Sequence, residues 1–371
     1  MIRALVIASV VLVGCGPLSP QRDAGSGGGG GITGGGGGGV TGGGGGGGVT
    51  GGGGVTGGGG GATGGGSGGG GATGGGGGTV NWTEVALQVP SGTMGSVTRL
   101  GAGQNEIFAY VADQYVLRNP SSGARFNEVL VFTNPDLRDF QSSLTSHAAT
   151  LSITFMLACF NGCESGSNFD QYNASGARGL CNGSDQLALM TRSSDGGTNL
   201  FAQDGGDWNA YGFAPLRTPM SCTRGPDAVF LAALGGVTVA LGDGGSNIEV
   251  PSVTALGRNS ANESWNFITT DGTQVFASSV QGAVAIRSAA GTWTTATAVN
   301  AEVSALAVGA DGDLWVASTG VGLAHFTGGA WVPSAGPPLL AAYASLAVEG
   351  PHVYVGGTDS SGVARVFRRL R

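Results

Sequence analysis

The chain has 371 residues and 78 glycines, and its 16 basic residues are all arginine, against 23 acidic residues. The formal net charge of -7 argues against a nucleic-acid partner and against electrostatic binding to anionic lipid headgroups, because both need a basic surface. Forty of the glycines fall in residues 24–79, where no core can form because glycine has no side chain to bury. About 290 residues remain for a folded domain, a length that suits one large β-rich architecture.

Residues 1–14 predict an export signal. A positive start at Arg3 precedes an apolar run, residues 4–13, that is too short to cross a bilayer. Leu12-Val13-Gly14-Cys15 follows and resembles the lipobox of bacterial lipoproteins. The resemblance implies that the Cys15 thiol receives diacylglycerol, that signal peptidase II cuts before Cys15, and that the new amine is acylated by a fatty acid such as palmitate.

Lipidation of Cys15 sets the expected location. Each buried methylene adds about 0.8 kcal/mol, so several acyl chains on one residue anchor a protein durably. We expect the cell envelope, and the outer membrane in particular, since Gly16 after the cysteine resembles the sorting signal of enteric outer-membrane lipoproteins. The periplasmic and surface faces both stay open, and an ordinary secretory peptide or a transmembrane anchor is the alternative for this segment.

Residues 15–79 predict a lipidated cysteine followed by a disordered glycine-rich tether. From residue 24 glycine runs alternate irregularly with pairs such as Val40-Thr41 and Ala62-Thr63. The lack of a Gly-X-Y period excludes collagen, and a flexible coil of this length spans roughly 40 Å. The match of residues 65–69 to the nucleophile motif G-x-S-x-G is discarded, because no strand or helix flanks it.

Residues 80–371 contain a repeat of about 40 residues. Each unit combines an Asp-Gly turn, two short β-rich runs and an aromatic residue. Two units run from Asp271 to Trp293 and from Asp311 to Trp331. A third includes Val353–Gly357, and weaker copies begin near Ile107 and Ala228.

Short β-rich runs with turn residues and one aromatic per 40 residues are typical of β-propeller blades. The pattern resembles the propeller repeats of the sialidase/BNR and two-component-regulator kinds. We therefore predict an all-β fold, a six-bladed β-propeller, with seven blades as the alternative and a β-sandwich or β-helix as competing folds. The count of six rests on expected outer-strand residues: Phe126, Trp208, Ile248, Trp293, Trp331 and Trp82.

Two features refine this prediction. The interval from Phe126 to Trp208 is twice the others, and we interpret it as one enlarged blade with an insertion. The C-terminal unit lacks an outer strand, which residues near Trp82 are expected to supply, so that the ring closes and two sheet edges are removed.

Four cysteines lie in this domain: Cys159, Cys163, Cys181 and Cys222. An even number in an exported domain predicts two disulfides. Three pairings exist; we favour Cys163–Cys181, closing a polar loop, with Cys159–Cys222. A zinc site formed by all four is the alternative.

Candidate chemical groups are scattered. Residues 193–200 resemble the Asp box of sialidases, which is a structural turn. Arg99, Arg118, Arg192 and Arg287 either line a channel or carry surface charge. His147, His325 and His352 are isolated in sequence, and the acidic pairs Asp204/Asp207 and Asp311/Asp313 are interpreted as tight turns.

We therefore predict no catalytic, metal or cofactor residues and a non-catalytic binding or scaffold lipoprotein displayed at the cell envelope. Its partners would be the membrane, through the lipid anchor, and an envelope protein or glycan, with no nucleic acid. The alternatives are a secreted glycan-acting hydrolase or lyase and a structural component of envelope assembly machinery. Fold alone does not choose between them.

Overall fold

The computed structural model describes residues 81–371, except residues 104, 121–122, 132–138, 143–147, 152–155, 161, 165–176, 184–187, 193–196, 205–206, 215–218, 300 and 319–321. The predicted signal peptide, Cys15 and the predicted tether lie outside the described residues. Among the described residues, none belongs to a helix whose length and apolar character would span a bilayer.

The described residues form β-strands and two short 3-10 turns, Thr254–Leu256 and Ser260–Asn262. In chain order the strands are β1 (Thr83–Glu84), β2 (Ala86–Leu87), β3 (Val97–Gly103), β4 (Glu106–Val111), β5 (Tyr115–Pro120), β6 (Arg125–Val131), β7 (Asp139–Ser142), β8 (Ala148–Leu151), β9 (Met156–Phe160), β10 (Gly162–Glu164), β11 (Ala177–Gly183), β12 (Ala188–Arg192), β13 (Thr198–Asp204), β14 (Asp207–Ala214), β15 (Ser221–Arg224), β16 (Ala228–Ala233), β17 (Gly236–Leu241), β18 (Ser246–Glu249), β19 (Trp265–Thr270), β20 (Val275–Ser279), β21 (Ala283–Arg287), β22 (Thr297–Ala298), β23 (Val303–Val308), β24 (Leu314–Ser318), β25 (Gly322–Thr327), β26 (Ala330–Ser334), β27 (Leu340–Glu349), β28 (His352–Asp359) and β29 (Ala364–Leu370).

Antiparallel pairing arranges the described strands in groups of four; in addition, β2 pairs in parallel with the first group, and the parallel pair β11–β15 joins the third and fourth groups into one eight-stranded sheet. In chain order the groups of four are β3–β6, β7–β10, β11–β14, β15–β18, β19–β22, β23–β26 and, last, β27–β29 with β1. The first strand of each group contacts the first strand of the next, and β27 contacts β3, so the inner strands surround a central cavity. A closed ring of such groups is a β-propeller, which confirms the predicted fold.

Residues beside Trp82 close the ring, as the sequence predicted. β1 pairs with β29, with Thr83 opposite Arg368 and Glu84 opposite Phe367. The chain then crosses to the first group, where β2 pairs in parallel with β6. The N-terminal segment therefore belongs to the last and the first groups at once, and it covers an edge of each.

The side chain of Arg369, on β29, lies between two aromatic rings. Its guanidinium carbon is 5.1 Å from the ring centre of Trp82 and 5.0 Å from that of Trp315. It also donates a hydrogen bond to the Ser334 hydroxyl at 2.6 Å, and the Trp82 indole donates to the Ala335 carbonyl at 2.9 Å. Burial lowers the pKa of Arg369. These two cation–π contacts tie the N-terminal segment and the sixth group to the last strand.

Two further arginines reinforce the same seam. Arg365 binds Glu84 of β1 at 2.7 Å. Arg371 donates to Asp311 and Asp313 of the sixth group, each at 2.9 Å. These charge-assisted contacts link the C-terminal end of the chain to β1 on one side and to the sixth group on the other.

The apolar core is divided among the interfaces between neighbouring groups. Phe126 of the first group packs with Tyr354 and Val366 of the last, and Val85 joins them. Phe126 and Tyr354 are fully buried. Burying one such side chain contributes roughly 1.5–3 kcal/mol, so the contact between the first and last groups stabilises both.

The segment from Phe126 to Trp208 differs from its interpretation as one enlarged blade. Two complete groups, β7–β10 and β11–β14, occupy the described part of this segment. The outer strand β10 has the sequence Gly-Cys-Glu and so lacks the aromatic residue used to count blades. The markers that fall in named strands, Phe126, Trp208, Ile248 and Trp331, do lie on outer strands.

Replacing Arg369 with methionine should destabilise the protein by about 2 kcal/mol, because both cation–π contacts and the hydrogen bond to Ser334 are lost. Urea unfolding of Arg369→Met measures this. Arg125→Met, at an exposed position of β6, is the control and should change stability by no more than about 0.5 kcal/mol. Equal effects of the two changes would contradict the role assigned to Arg369.

Asp311 should make stability depend on acid pH. The hydrogen bond from Arg371 holds the pKa of Asp311 below its ordinary value. The stabilisation is therefore present above the ordinary aspartate range and is lost as pH falls through the depressed pKa. Between about pH 5 and pH 2, Asp311→Asn should lose less stability than the wild type, as measured by urea unfolding. Glu302→Gln, at an exposed position, should follow the wild type, and an identical curve for Asp311→Asn would refute this assignment.

Candidate functional site

The central cavity has a volume of about 290 Å³. The described part of its wall comes from the inner strands β3, β11, β15, β19, β23 and β27 and from Met220, which precedes β15. Polar and apolar side chains share this wall. The polar residues are Thr98, Arg99, Asn182, Ser221, Asn266, Thr269, Thr270, Ser304 and Ser345, and the larger apolar ones are Leu100, Phe267, Ile268, Leu306 and Leu346.

Four inner strands carry a β-bulge at an equivalent place. In each of these groups, one residue of the inner strand has no paired residue on the second strand. The residues without a paired residue are Thr98 in β3, Asn266 in β19, Ser304 in β23 and Ala344 in β27. Each of these residues lines the cavity and lies four or five residues before its strand ends. A bulge bends its strand and re-aims a side chain. The repeat therefore sets short side chains at a common position around the cavity.

We call Thr98, Ser221, Asn266 and Ser304 the collar. The side-chain oxygens of Thr98, Ser221 and Ser304 are shielded from solvent and have no hydrogen-bond partner among the described residues. The Asn266 amide oxygen accepts a hydrogen bond from the Ser264 hydroxyl at 3.0 Å. A buried polar group without a partner costs about 1–3 kcal/mol, so the collar holds unused hydrogen-bonding capacity beside an open cavity.

A second polar pair lies on the same wall. The Asn182 amide of β11 donates to the Thr269 hydroxyl of β19 at 3.1 Å, while the Asn182 amide oxygen has no partner among the described residues. In addition, the Ser345 hydroxyl donates to the Val97 carbonyl at 2.6 Å and joins the inner strands of the last and first groups.

Arg99 is the one charged side chain in the described part of the wall. Its guanidinium donates to the Thr98 carbonyl at 3.0 Å. Burial raises the pKa of nearby Asp113, and the positive charge of Arg99 opposes that shift. Of the four arginines considered from the sequence, Arg99 lines the channel.

The other three arginines have different surroundings. Arg118 forms an ion pair with Glu106, and Arg287 binds Glu249 at 2.6 Å. The side chain of Arg192 lies outside the described residues. The first ion pair joins β5 to β4 within one group, and the second joins β21 to β18 of the preceding group. Both ion pairs therefore have a structural role.

The ring of His325 has a carboxylate partner, Asp313, which is not adjacent to it in the sequence. Its ring hydrogen-bonds to Asp313 and stacks on Trp315 with the ring centres 4.4 Å apart. Asp313 also accepts from the Trp315 indole at 2.8 Å and from Arg371. The cluster lies at the ring seam, outside the cavity wall, and its hydrogen bonds tie the sixth and last groups together.

His352 is not part of the described cavity wall. His352, on β28, lies 6.0 Å from the Tyr354 ring centre. Burial and the nearby charge of Arg368 lower the pKa of His352. His147 lies outside the described residues.

The acidic pairs are turns, as predicted. Gly312 adopts φ 80° between Asp311 and Asp313, and its N–H donates to the Gly309 carbonyl at 3.0 Å. Asp204 and Asp207 are paired residues at the turn of the β13–β14 hairpin. In the Asp-box-like segment, residues 193–196 lie outside the described part and Leu200 is buried. Among the described residues, no group of three or more acidic, histidine or cysteine side chains is placed to hold a metal ion.

The favoured cysteine pairing is wrong. A disulfide joins Cys181 to Cys222, with 4.6 Å between their α-carbons. β11 and β15 pair in parallel with Asn182 opposite Thr223, so the preceding residues, the two cysteines, are neighbours. The expected closure of one loop by Cys163 and Cys181 assumed a single enlarged blade, whereas these residues belong to different groups. Because the sulfurs of Cys181 and Cys222 are bonded to each other, the disulfide excludes a zinc site formed by all four cysteines.

Cys159 and Cys163 are paired residues across the β9–β10 hairpin, and their side chains lie outside the described part.

The chain matches no protein-family model, and no curated protein resembles it in sequence. Solved structures share its fold. A structure described as YCF48 bound to D1 peptide has a TM-score of 0.55 and 13% identity, covering 78% of this chain and 97% of that one. The extracellular domain of a putative hybrid two component system, BT4673 from B. thetaiotaomicron, has a TM-score of 0.54 and 11% identity over 78% of this chain. This chain spans 39% of that domain. At these identities the likeness establishes the β-propeller fold.

Loss of the disulfide should be costly. For a sequence separation of 41 residues, loop-closure entropy gives about 4 kcal/mol. Cys222→Ser should therefore unfold at a clearly lower urea concentration than the wild type under oxidising conditions. Dithiothreitol should lower the midpoint of the wild type to that of the variant and leave the variant unchanged. A wild-type midpoint insensitive to the reductant would contradict the pairing.

Proposed function

We propose that this protein is a non-catalytic binding or scaffold module, held at the bacterial cell envelope by a lipid on Cys15. The observation that carries the binding role is the central cavity, lined by Thr98, Ser221 and Ser304, whose shielded hydroxyls have no hydrogen-bond partner in the part of the chain that the structure describes. A purely structural channel gains nothing from such groups, whereas a ligand can pair with them.

The fold neighbours support a binding role in a limited way. YCF48, which this chain matches over 97% of that protein's length, is described as bound to a peptide. A propeller of the same extent can therefore hold a ligand. An envelope protein is accordingly one candidate partner for this chain, and a glycan is the other.

Charge in the cavity favours binding over hydrolysis. Glycoside hydrolysis mostly uses two carboxyl groups on either side of the scissile bond. The described part of the wall offers hydroxyl and amide groups with Arg99 as its one charged side chain. A hydrolase or lyase on this scaffold would have to place its acid and base elsewhere.

We also propose that the groups form seven blades rather than six, and that residues 15–79 are a disordered tether that holds the ring away from the membrane. The blade count is supported by the contact of each inner strand with the next around the ring. The glycine-rich composition of residues 24–79 supports the tether.

Changing Cys15 to alanine should abolish lipid anchoring. In cells fed radiolabelled palmitate, the wild type should carry the label and sediment with membranes, because acyl chains partition into the bilayer. Cys15→Ala should lose the label and leave the membrane fraction. Cys222→Ser is the control for loss of another cysteine and should keep the label; a labelled, membrane-bound Cys15→Ala variant would refute the anchor.

The binding role is tested by crosslinking the full-length protein in intact cells. A version ending at Thr79 keeps the anchor and the tether without the propeller and serves as the control. An envelope component recovered only with the full-length protein supports the proposal. Recovery that does not depend on residues 80–371 would contradict a binding role for the propeller.

A further inference from the structure

The ligand chemistry of the cavity follows from the collar. Its residues come from four different inner strands, β3, β15, β19 and β23, and each carries a short uncharged polar side chain. The bulges place three of the four, Thr98, Asn266 and Ser304, at equivalent positions. The collar thus places short polar residues on four of the inner strands that line the cavity.

We propose that the collar binds an uncharged, hydroxyl-rich ligand the size of one or two sugar rings inside the central cavity. This assignment rests on the binding role proposed above and names its ligand class. The volume of about 290 Å³ is close to the lower end of small-molecule sites, about 300 Å³, and is far too small for a folded element.

The hydroxyl groups of the collar suit such a ligand. The Thr98 and Ser304 hydroxyls each donate and accept, as sugar hydroxyls do, and the Asn182 amide oxygen is a further acceptor. A change to another staggered rotamer about the Cα–Cβ bond would carry a serine or threonine hydroxyl from its shielded position towards the cavity. A bound ligand would supply the partners that these oxygens lack.

The arrangement of the wall favours a sugar over a peptide. A sugar ring projects hydroxyls around its whole perimeter, which matches groups placed on four strands around a cavity. An extended peptide presents its backbone groups along two edges. The side chains of Phe267, Leu306 and Leu346 also line the cavity, and they can contact the C–H faces of the ring.

Calorimetric titration of the full-length protein with N-acetylglucosamine, cellobiose and glucuronate tests the assignment. The two neutral sugars should bind. Glucuronate should gain no advantage, because the Arg99 guanidinium already donates to the Thr98 carbonyl and its charge interacts with Asp113. Thr98→Ala/Ser304→Ala should weaken the neutral sugars roughly tenfold, because two hydrogen bonds are lost. Thr292→Ala/Ser246→Ala removes two hydroxyls at exposed positions away from the cavity and should leave the affinity unchanged.

Thermal unfolding separates a binding role from a structural one. The Thr98 and Ser304 hydroxyls are shielded and unpartnered, so their removal should leave the melting temperature unchanged or higher. Weaker binding without a lower melting temperature supports the assignment. A lower melting temperature together with unchanged sugar affinity would overturn it.

The remaining outcomes also decide the question. No binding by either neutral sugar, or preferred binding of glucuronate, overturns the ligand class. If the crosslinking experiment still recovers a propeller-dependent partner, the envelope role stands while the sugar assignment falls. If neither sugar nor partner is found, both fail. Binding of a neutral peptide such as Gly-Ser-Asn-Gly, lost in Thr98→Ala/Ser304→Ala, would replace the sugar by a peptide.

Discussion

The pairing of β1 with β29 is the constraint on which the rest of the structure depends. The described interfaces between strand groups bury apolar side chains. A ring has no free end only if its last interface also forms. Trp82 and Arg369 of β29 lie at the interface between the sixth and last groups. Tyr354 lies at the interface between the last and first groups. Arg365 and Arg371 add charged contacts on either side of the same strand. Once the seam is closed, the inner strands are held at fixed spacing, and the cavity acquires a defined wall.

Much of the fold could be predicted from the sequence because strand, turn and outer aromatic recur together. The second and third strands of the fifth and sixth groups coincide with the apolar runs at Val275 and Leu314 and their successors. The role of Trp82 followed from the missing outer strand of the last unit. The second group escaped the count because its outer strand, Gly162–Glu164, has no aromatic residue. The disulfide escaped because the parallel neighbours β11 and β15 bring together cysteines that no local pattern connects.

The site was harder to predict than the fold. The collar residues lie on inner strands, which precede the Asp-Gly turns that defined the repeat. A four-residue pattern that occurs on four inner strands could have indicated the site. It consists of a large residue, a small one, any residue and then Leu or Ile, as in Val303-Ser304-Ala305-Leu306. Its meaning depends on the bulge, which changes the direction of Ser304 and which no periodicity of two or 3.6 encodes. The partner of His325 was hidden for a related reason, because Asp313 is close only across two paired strands.

The closing strand also fixes the order in which the molecule can be made. β1 is synthesised before the propeller groups, yet its partner β29 lies at the end of the domain. Until residues 364–370 emerge, Trp82 has no arginine to stack on and the first group lacks the apolar surface of the last. Long-range contacts of this kind form late and slowly, since a long loop must close before they stabilise anything. Almost the whole chain must therefore be made before the ring can lock, and strand edges at the seam stay unpaired during that interval.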